Sequence, residues 1–276
     1  MISPDVSVLM CVRDGAPWVG DAVQSVLDQR GVHLELIVID DGSVDATPAL
    51  LGAIRDPRLR VERRPPAGLT PSLNRAIALA RAPLLARLDA DDMALPERLA
   101  LQKGFLDAHP AVGLLGTGAR EVDAAGCGVG VVAPPAEDRD IRRALIRRNP
   151  FVHSSVVIRR RVLDEVGGGY DARLPVAQDY ELWMRMSRVT RLANLREPLV
   201  VRRLLPGRVS AARDGERLAA EALVRWRAVR SGLYPWWCAA FLARPLAARF
   251  MPRGVRELLR HRLSPPRSMP PAGVAR

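Results

Sequence analysis

Hydrophobic positions along this chain change their period repeatedly, and the changes mark its elements. Val6-Ser7-Val8-Leu9-Met10-Cys11-Val12 is a nearly unbroken apolar run of strand length, after which Val19, Ala22, Val23, Val26 and Leu27 recur at helical spacing. Leu34-Glu35-Leu36-Ile37-Val38-Ile39 predicts a second strand, and Thr47-Pro48 predicts a helix with Thr47 as N-cap and proline at its first position. Residues 59–62 read as a short strand. Thr70-Pro71 opens a helix whose Leu73, Ala76, Ile77 and Ala80 share one face, and residues 83–88 form a fourth strand. Strand and helix alternate throughout, the pattern of a mostly parallel sheet covered by helices.

Beyond a helix over 96–109 the pattern becomes less regular. Residues 112–115 and 129–132 predict strands, the glycine-rich 126–130 stretch a turn, and 138–148 a helix. Asn149 to Arg159 reads as a strand opened by His153, either a histidine hydrogen-bonded at a strand edge or a metal or diphosphate contact. Gly167-Gly168-Gly169 predicts a turn, and Gln178-Asp179 starts a helix that faces Leu182, Trp183 and Met186 inward. Three parts result: 1–110 as a ligand-binding half, 111–215 as a second half, and 216–276 as a basic, aromatic helical extension whose proline-rich end, Ser264-Pro265-Pro266 to Pro270-Pro271, reads as disordered.

Two strands end in carboxylates. Asp40-Asp41 follows the second, and Asp89, Asp91 and Asp92 crowd into four positions after the fourth. In open parallel sheets ligands bind at the carboxyl ends of strands, where both sets fall. Asp89 and Asp91 are placed to share one hard cation, Mg2+ or Mn2+, of the kind that accompanies phosphates. The alternative is a polar turn ahead of the next helix. Asp41 could then accept hydrogen bonds from a base or ribose. Gly-x-Gly-x-x-Gly and P-loop patterns are both missing from the first turn, which argues against NAD and against a P-loop NTPase. Asp179 reads as a helix cap or, if the second substrate lies above the acidic crevice, as a proton acceptor.

Taken together these residues resemble the family-2 glycosyltransferases of the GT-A fold, which are inverting enzymes that use nucleotide sugars. The resemblance runs through residues 6–29, through the Asp-Asp-Gly-Ser-x-Asp-x-Thr core of 34–47, and through 68–98 with Asn74 and Leu-Asp-Ala-Asp-Asp. It continues weakly through His153-Ser154-Ser155, Asp179 and the stretch from Arg203 to Ser210. It implies that Asp41 and Asn74 line the pocket of a nucleotide-diphosphate sugar donor and that Asp89 and Asp91 hold the metal. Asp179 would be the catalytic base toward a hydroxyl of a glycan or lipid-linked acceptor. Cys11-Val12-Arg13-Asp14 stands where the family often has Pro-x-Tyr-Asn, Gln178 replaces an acid, and Leu205 stands where a histidine commonly precedes the proline. The Gln-x-x-Arg-Trp motif of processive synthases is missing, which argues against a processive enzyme.

Charge adds one feature. Of a net +12, residues 225–276 carry +10, from eleven arginines against the single acid Glu257. Trp226, Tyr234, Trp236, Trp237 and Phe241 interleave with Arg225, Arg227, Arg230, Arg244 and Arg249, suiting an anionic membrane surface over 225–262 or a helix packed on the domain with solvated arginines. Three scattered cysteines and an N-terminus without a leader pattern fit a cytoplasmic protein, peripheral at the inner face of the membrane if the tail binds lipid. Two competing classes are a nucleotidyltransferase, for which Arg13-Asp14-Gly15 is a poor phosphate loop, and a nucleic-acid-binding module using the arginine tail. The second leaves the acidic strand ends unexplained, because they would repel phosphates.

Overall fold

The computed structural model describes residues 3–205 and 214–243, together with 245 and 247. The predicted stretch 206–210, the proline-rich end and most of the basic tail lie outside these residues.

The first four strands are β1 (Val6–Val12), β2 (Leu34–Asp40), β3 (Leu59–Arg63) and β4 (Leu84–Arg87), all parallel, in the order β3-β2-β1-β4. Their sequence explains the layering. Along β1, Val8 and Met10 enter one core while Leu9 and Cys11 enter the other, as period-two alternation requires when both faces are covered. Helices α1 (Val19–Leu27), α2 (Thr47–Ala53) and α4 (Arg98–Ala108) cover one face, and α3 (Leu69–Leu79) covers the other.

The same sheet continues through the second half. Strand β8 (Val157–Arg159) pairs antiparallel with β4, then β6 (Val112–Val122) with β8, and β9 (Arg191–Arg203) runs parallel to β6. A two-residue strand, β5 (Met93–Ala94), closes against β9, and β7 (Gly128–Val132) pairs with β6. Helices α5 (Asp138–Leu145), α6 (Arg160–Glu165) and α7 (Gln178–Met186) join α3 on its side, followed by α8 (Asp214–Arg230) and the 3-10 helix Trp236–Leu242. This is the mixed α/β, GT-A-like architecture expected from the sequence.

Several local expectations need correction. Thr47 is the first helical residue rather than the cap; Ala46 holds the N-cap position, and the Thr47 hydroxyl accepts a hydrogen bond from Gly15 N instead (2.9 Å). His153 does not open a strand. His153–Ser155 is a 3-10 turn, and extended pairing starts only at Val157. Arg225 is neither solvated nor lipid-facing: it is buried in the seam beneath α8, donating to Tyr180 Oη, Arg147 O, Phe241 O and Glu221.

Candidate active site

Because β1, β2 and β4 are parallel and in register, their carboxyl ends lie along one edge. The two acidic strand ends meet there, and their side chains are treated very differently.

At the end of β2, Asp40 Oδ1 accepts from Ser43 N (2.9 Å), and its Oδ2 lies 3.5 Å from Arg63 Nε. Asp41 Oδ1 accepts from Ala67 N (2.8 Å) and Ser72 Oγ (2.9 Å), and Oδ2 from Gly68 N (2.9 Å). The carboxylate thus ties the β2 end to the loop leading into α3, leaving one lone pair on Oδ2. Gly42, between the two strands' loops, has φ 76°, and a Cβ there would come within 2.7 Å of Pro66 Cδ, so glycine is required for the loops to close. Ser43, Asp45 and Thr47 hold the loop after β1 through Asp14 N, Ala16 N and Gly15 N. Much of the Asp-Asp-Gly-Ser-x-Asp-x-Thr stretch is therefore loop scaffolding.

At the end of β4, oxygen atoms of Asp89, Asp91 and Asp92 all lie within 4.8 Å of one another. Asp92 is almost fully buried, accepting from Arg203 N at 2.8 Å. Burial, and then the charges of Asp89 and Asp91, push its carboxyl up to about 7. The Ser154 hydroxyl bridges Asp92 and Asp89. One hydroxyl proton cannot serve two carboxylates, so this bridge is fully satisfied only when Asp92 itself holds a proton or a cation offsets the charges. Three carboxylates whose oxygens converge this closely fit a divalent cation with oxygen ligands.

Beneath them lies a layer that sequence reading passed over. Arg87 interrupts the apolar β4, is buried, and donates to Asp89, to Leu9 O (3.1 Å) and to Leu88 O, while its Nε has no partner. Arg98 donates to Arg87 O (2.8 Å), and burial pulls its guanidinium down to about 9, still charged at neutral pH. The signal was available: an arginine within a buried strand needs anionic company.

His153 Nε2 is 3.0 Å from Tyr170 Oη, and His153 is not among the three clustered carboxylates. Burial lowers its pKa, opposed by the charge of Asp179 and then by that of Asp89, with Arg87 acting in the same direction as burial. One imidazole therefore senses both carboxylates. Asn74 donates to Tyr170 O (2.9 Å) and accepts from Tyr170 N (2.9 Å), so its amide holds the backbone of the residue whose hydroxyl meets His153.

Asp179 sits in the first turn of α7. It is not the cap: Ala177 holds that position with φ 57° and makes no side-chain bond. Left-handed backbone is costly for a residue with a Cβ, and here it sets the entry of the helix that carries Asp179. Asn149 Nδ2 donates to Asp179 Oδ2 at 2.7 Å, and the far side of that amide is fixed by Phe151 N donating to Asn149 Oδ1 (3.1 Å). Asn149, four residues before His153, was not singled out from sequence.

A family model described as "Glycosyl transferase family 2" matches residues 7–167. The amylovoran biosynthesis glycosyltransferase AmsE of Erwinia amylovora is 32% identical over 203 residues, covering 70% of this chain and 72% of the relative. Among solved structures, S. aureus TarS in complex with UDP-GlcNAc superposes with a TM-score of 0.71 at 18% identity, over 88% of this chain and 71% of that one. The mannosyltransferase PcManGT of Pyrobaculum calidifontis, in complex with GDP-Man and Mn2+, gives a TM-score of 0.60 at 21% identity, over 95% and 80%. At these identities the two structures establish a shared fold.

Proposed function

Because this chain belongs to glycosyltransferase family 2, we propose that it moves a hexosyl group from a nucleotide-diphosphate sugar to an acceptor hydroxyl, with inversion, in surface-glycan synthesis. One observation carries the reading: the oxygens of Asp89, Asp91 and Asp92 lie within 4.8 Å of one another at the end of a strand, tied through Ser154 to the turn of the half-buried His153, whose ring feels the charges of both Asp179 and Asp89. The crystallised complexes of the two fold neighbours with nucleotide sugars support the donor class, and the Mn2+ in one supports the cation. The AmsE relationship supports an exopolysaccharide-type acceptor.

In this reading Asp89, Asp91 and Asp92 would hold Mg2+ or Mn2+, which when bound neutralises charge on the leaving diphosphate. Asp41 offers its remaining Oδ2 lone pair to the base or ribose, and Asn74 bounds the same pocket through the Tyr170 backbone it fixes. Asn149 occupies Asp179 Oδ2, so Oδ1 takes the proton of the acceptor hydroxyl. The hydroxyl oxygen forms its bond to the anomeric carbon from the face opposite the diphosphate, whose oxygen leaves with the bonding pair. A single displacement inverts that carbon.

The test is a thermal-shift panel of UDP-, dTDP- and GDP-sugars with and without Mn2+, followed by transfer assays. One nucleotide class should raise the melting temperature only with metal. Asp179→Asn should keep that shift while transfer falls about a thousandfold, within the range attributed to general bases. Loss of the shift together with transfer would remove Asp179 from the role of base.

A further inference from the structure

Away from the transfer site, one surface carries the large aromatic side chains that a folded domain ordinarily covers. Helix α8 buries Leu218, Ala222 and Arg225, and turns Leu223 and Trp226 outward, the latter 48% exposed. Helical spacing sets Arg227 and Arg230 on that outward side. The 3-10 helix Trp236–Leu242 packs against α8, burying Cys238 and leaving Trp236 83% and Trp237 56% exposed. All the exposed large aromatics among the described residues lie on this one segment.

The segment itself carries charge of one sign. Residues 222–243 contain no acid, and the chain continues over 244–276 with eight arginines and Glu257 alone. Between α7 and α8 runs a groove of about 440 Å³, with Arg188, Arg227 and Arg230 on its rim and Met184, Val224 and Leu233 along its floor. Glu181, the acid in its wall, is held by Arg185 at 2.8 Å, and Arg227 has Asp171 at 3.6 Å. Indole rings combine a large apolar body with one N–H donor, which suits the boundary between headgroups and acyl chains. Guanidinium groups beside them suit phosphodiester headgroups.

We propose that this face, formed by α8 and the 3-10 helix after it, seats the protein on an anionic lipid bilayer. Trp226, Trp236 and Trp237 enter the interface, while Arg227 and Arg230 pair with lipid phosphates. Among the described residues no helix is long and apolar enough to cross a membrane, so the contact is interfacial.

The full chain would be sedimented with vesicles of phosphatidylcholine alone and of phosphatidylcholine mixed with phosphatidylglycerol. It should pellet with the mixed vesicles, less so as salt rises, and its tryptophan emission should be quenched by lipids brominated on the acyl chain. That last reading needs no variant. Trp236→Ser combined with Trp237→Ser should lower partitioning about tenfold or more, and Arg227→Gln with Arg230→Gln roughly tenfold. The tryptophan pair should leave the melting temperature and the metal-dependent nucleotide-sugar shift unchanged, which separates this proposal from the fate of the transfer reading. The proposal is overturned by no pelleting with the anionic vesicles, or by pelleting without quenching. It is equally overturned if the tryptophan variant binds lipid like wild type, or if the tryptophans prove to support a lipid-independent dimer that ignores vesicles.

Discussion

The two acidic strand ends of the sheet look alike in sequence and differ in the structure. Asp41 at the end of β2 meets three protein donors and is a fastening between strand, loop and α3. Asp89, Asp91 and Asp92 at the end of β4 converge on one another, with the Ser154 hydroxyl bridging two of them, Arg203 N bonded to Asp92 and the buried Arg87 guanidinium below. A carboxylate spread over donors from three positions fastens the loops it joins, whereas three carboxylates whose oxygens converge act on one another, as the raised pKa of Asp92 shows, and are placed to share a cation. The difference between scaffold and site thus lies in whether the acids are spread over protein donors or brought together, not in the acids themselves.

That contrast can be broken by experiment. Asp91→Asn should lower transfer by about a thousandfold and abolish the metal-dependent nucleotide shift, while costing the ligand-free protein less stability than Asp41→Ala. Chelation of the metal should reproduce the activity loss in wild type. Asp41→Ala should do the opposite first: urea unfolding should show a loss of about 3 kcal/mol, the scale of stranding several charge-assisted donors. A fully stable Asp41→Ala protein would erase the distinction. Asp179 lies between these cases, with Asn149 as its one described donor. Asn149→Ala should therefore give the smallest effect, about a tenfold drop in kcat with the donor shift unchanged and Asn149→Asp not rescuing it, since a second acid would repel the first. A change in donor binding of the same size would show that Asn149 serves the pocket instead.

Much of this was legible in the chain because parallel strands buried on both faces write themselves as apolar runs. Strands β1, β2 and β4 fell where the hydrophobic pattern placed them, and Asp89 and Asp91 do converge at a strand end. Strand β9 was missed, since Arg191, Arg196, Arg202 and Arg203 break its apolar alternation and its pairing with β6 is set by tertiary contact. Asn149 was missed for a different reason: an amide beside a proline reads as a turn, and only the fold brings it to Asp179. Arg225 defeated both readings of the tail, because a buried guanidinium that donates to two carbonyls, a tyrosine hydroxyl and a carboxylate has the same sequence signature as a solvated one.

That arginine also fixes a length. Arg225 bonds Tyr180, the residue after Asp179, and the backbone at Arg147, two residues before Asn149, so these bonds tie α8 to the elements that carry Asp179, the proposed base. If the outward side of α8 rests on a bilayer as proposed, Asp179 would be held at a set height above the lipid plane, and the acceptor hydroxyls within its reach would be those presented at that height.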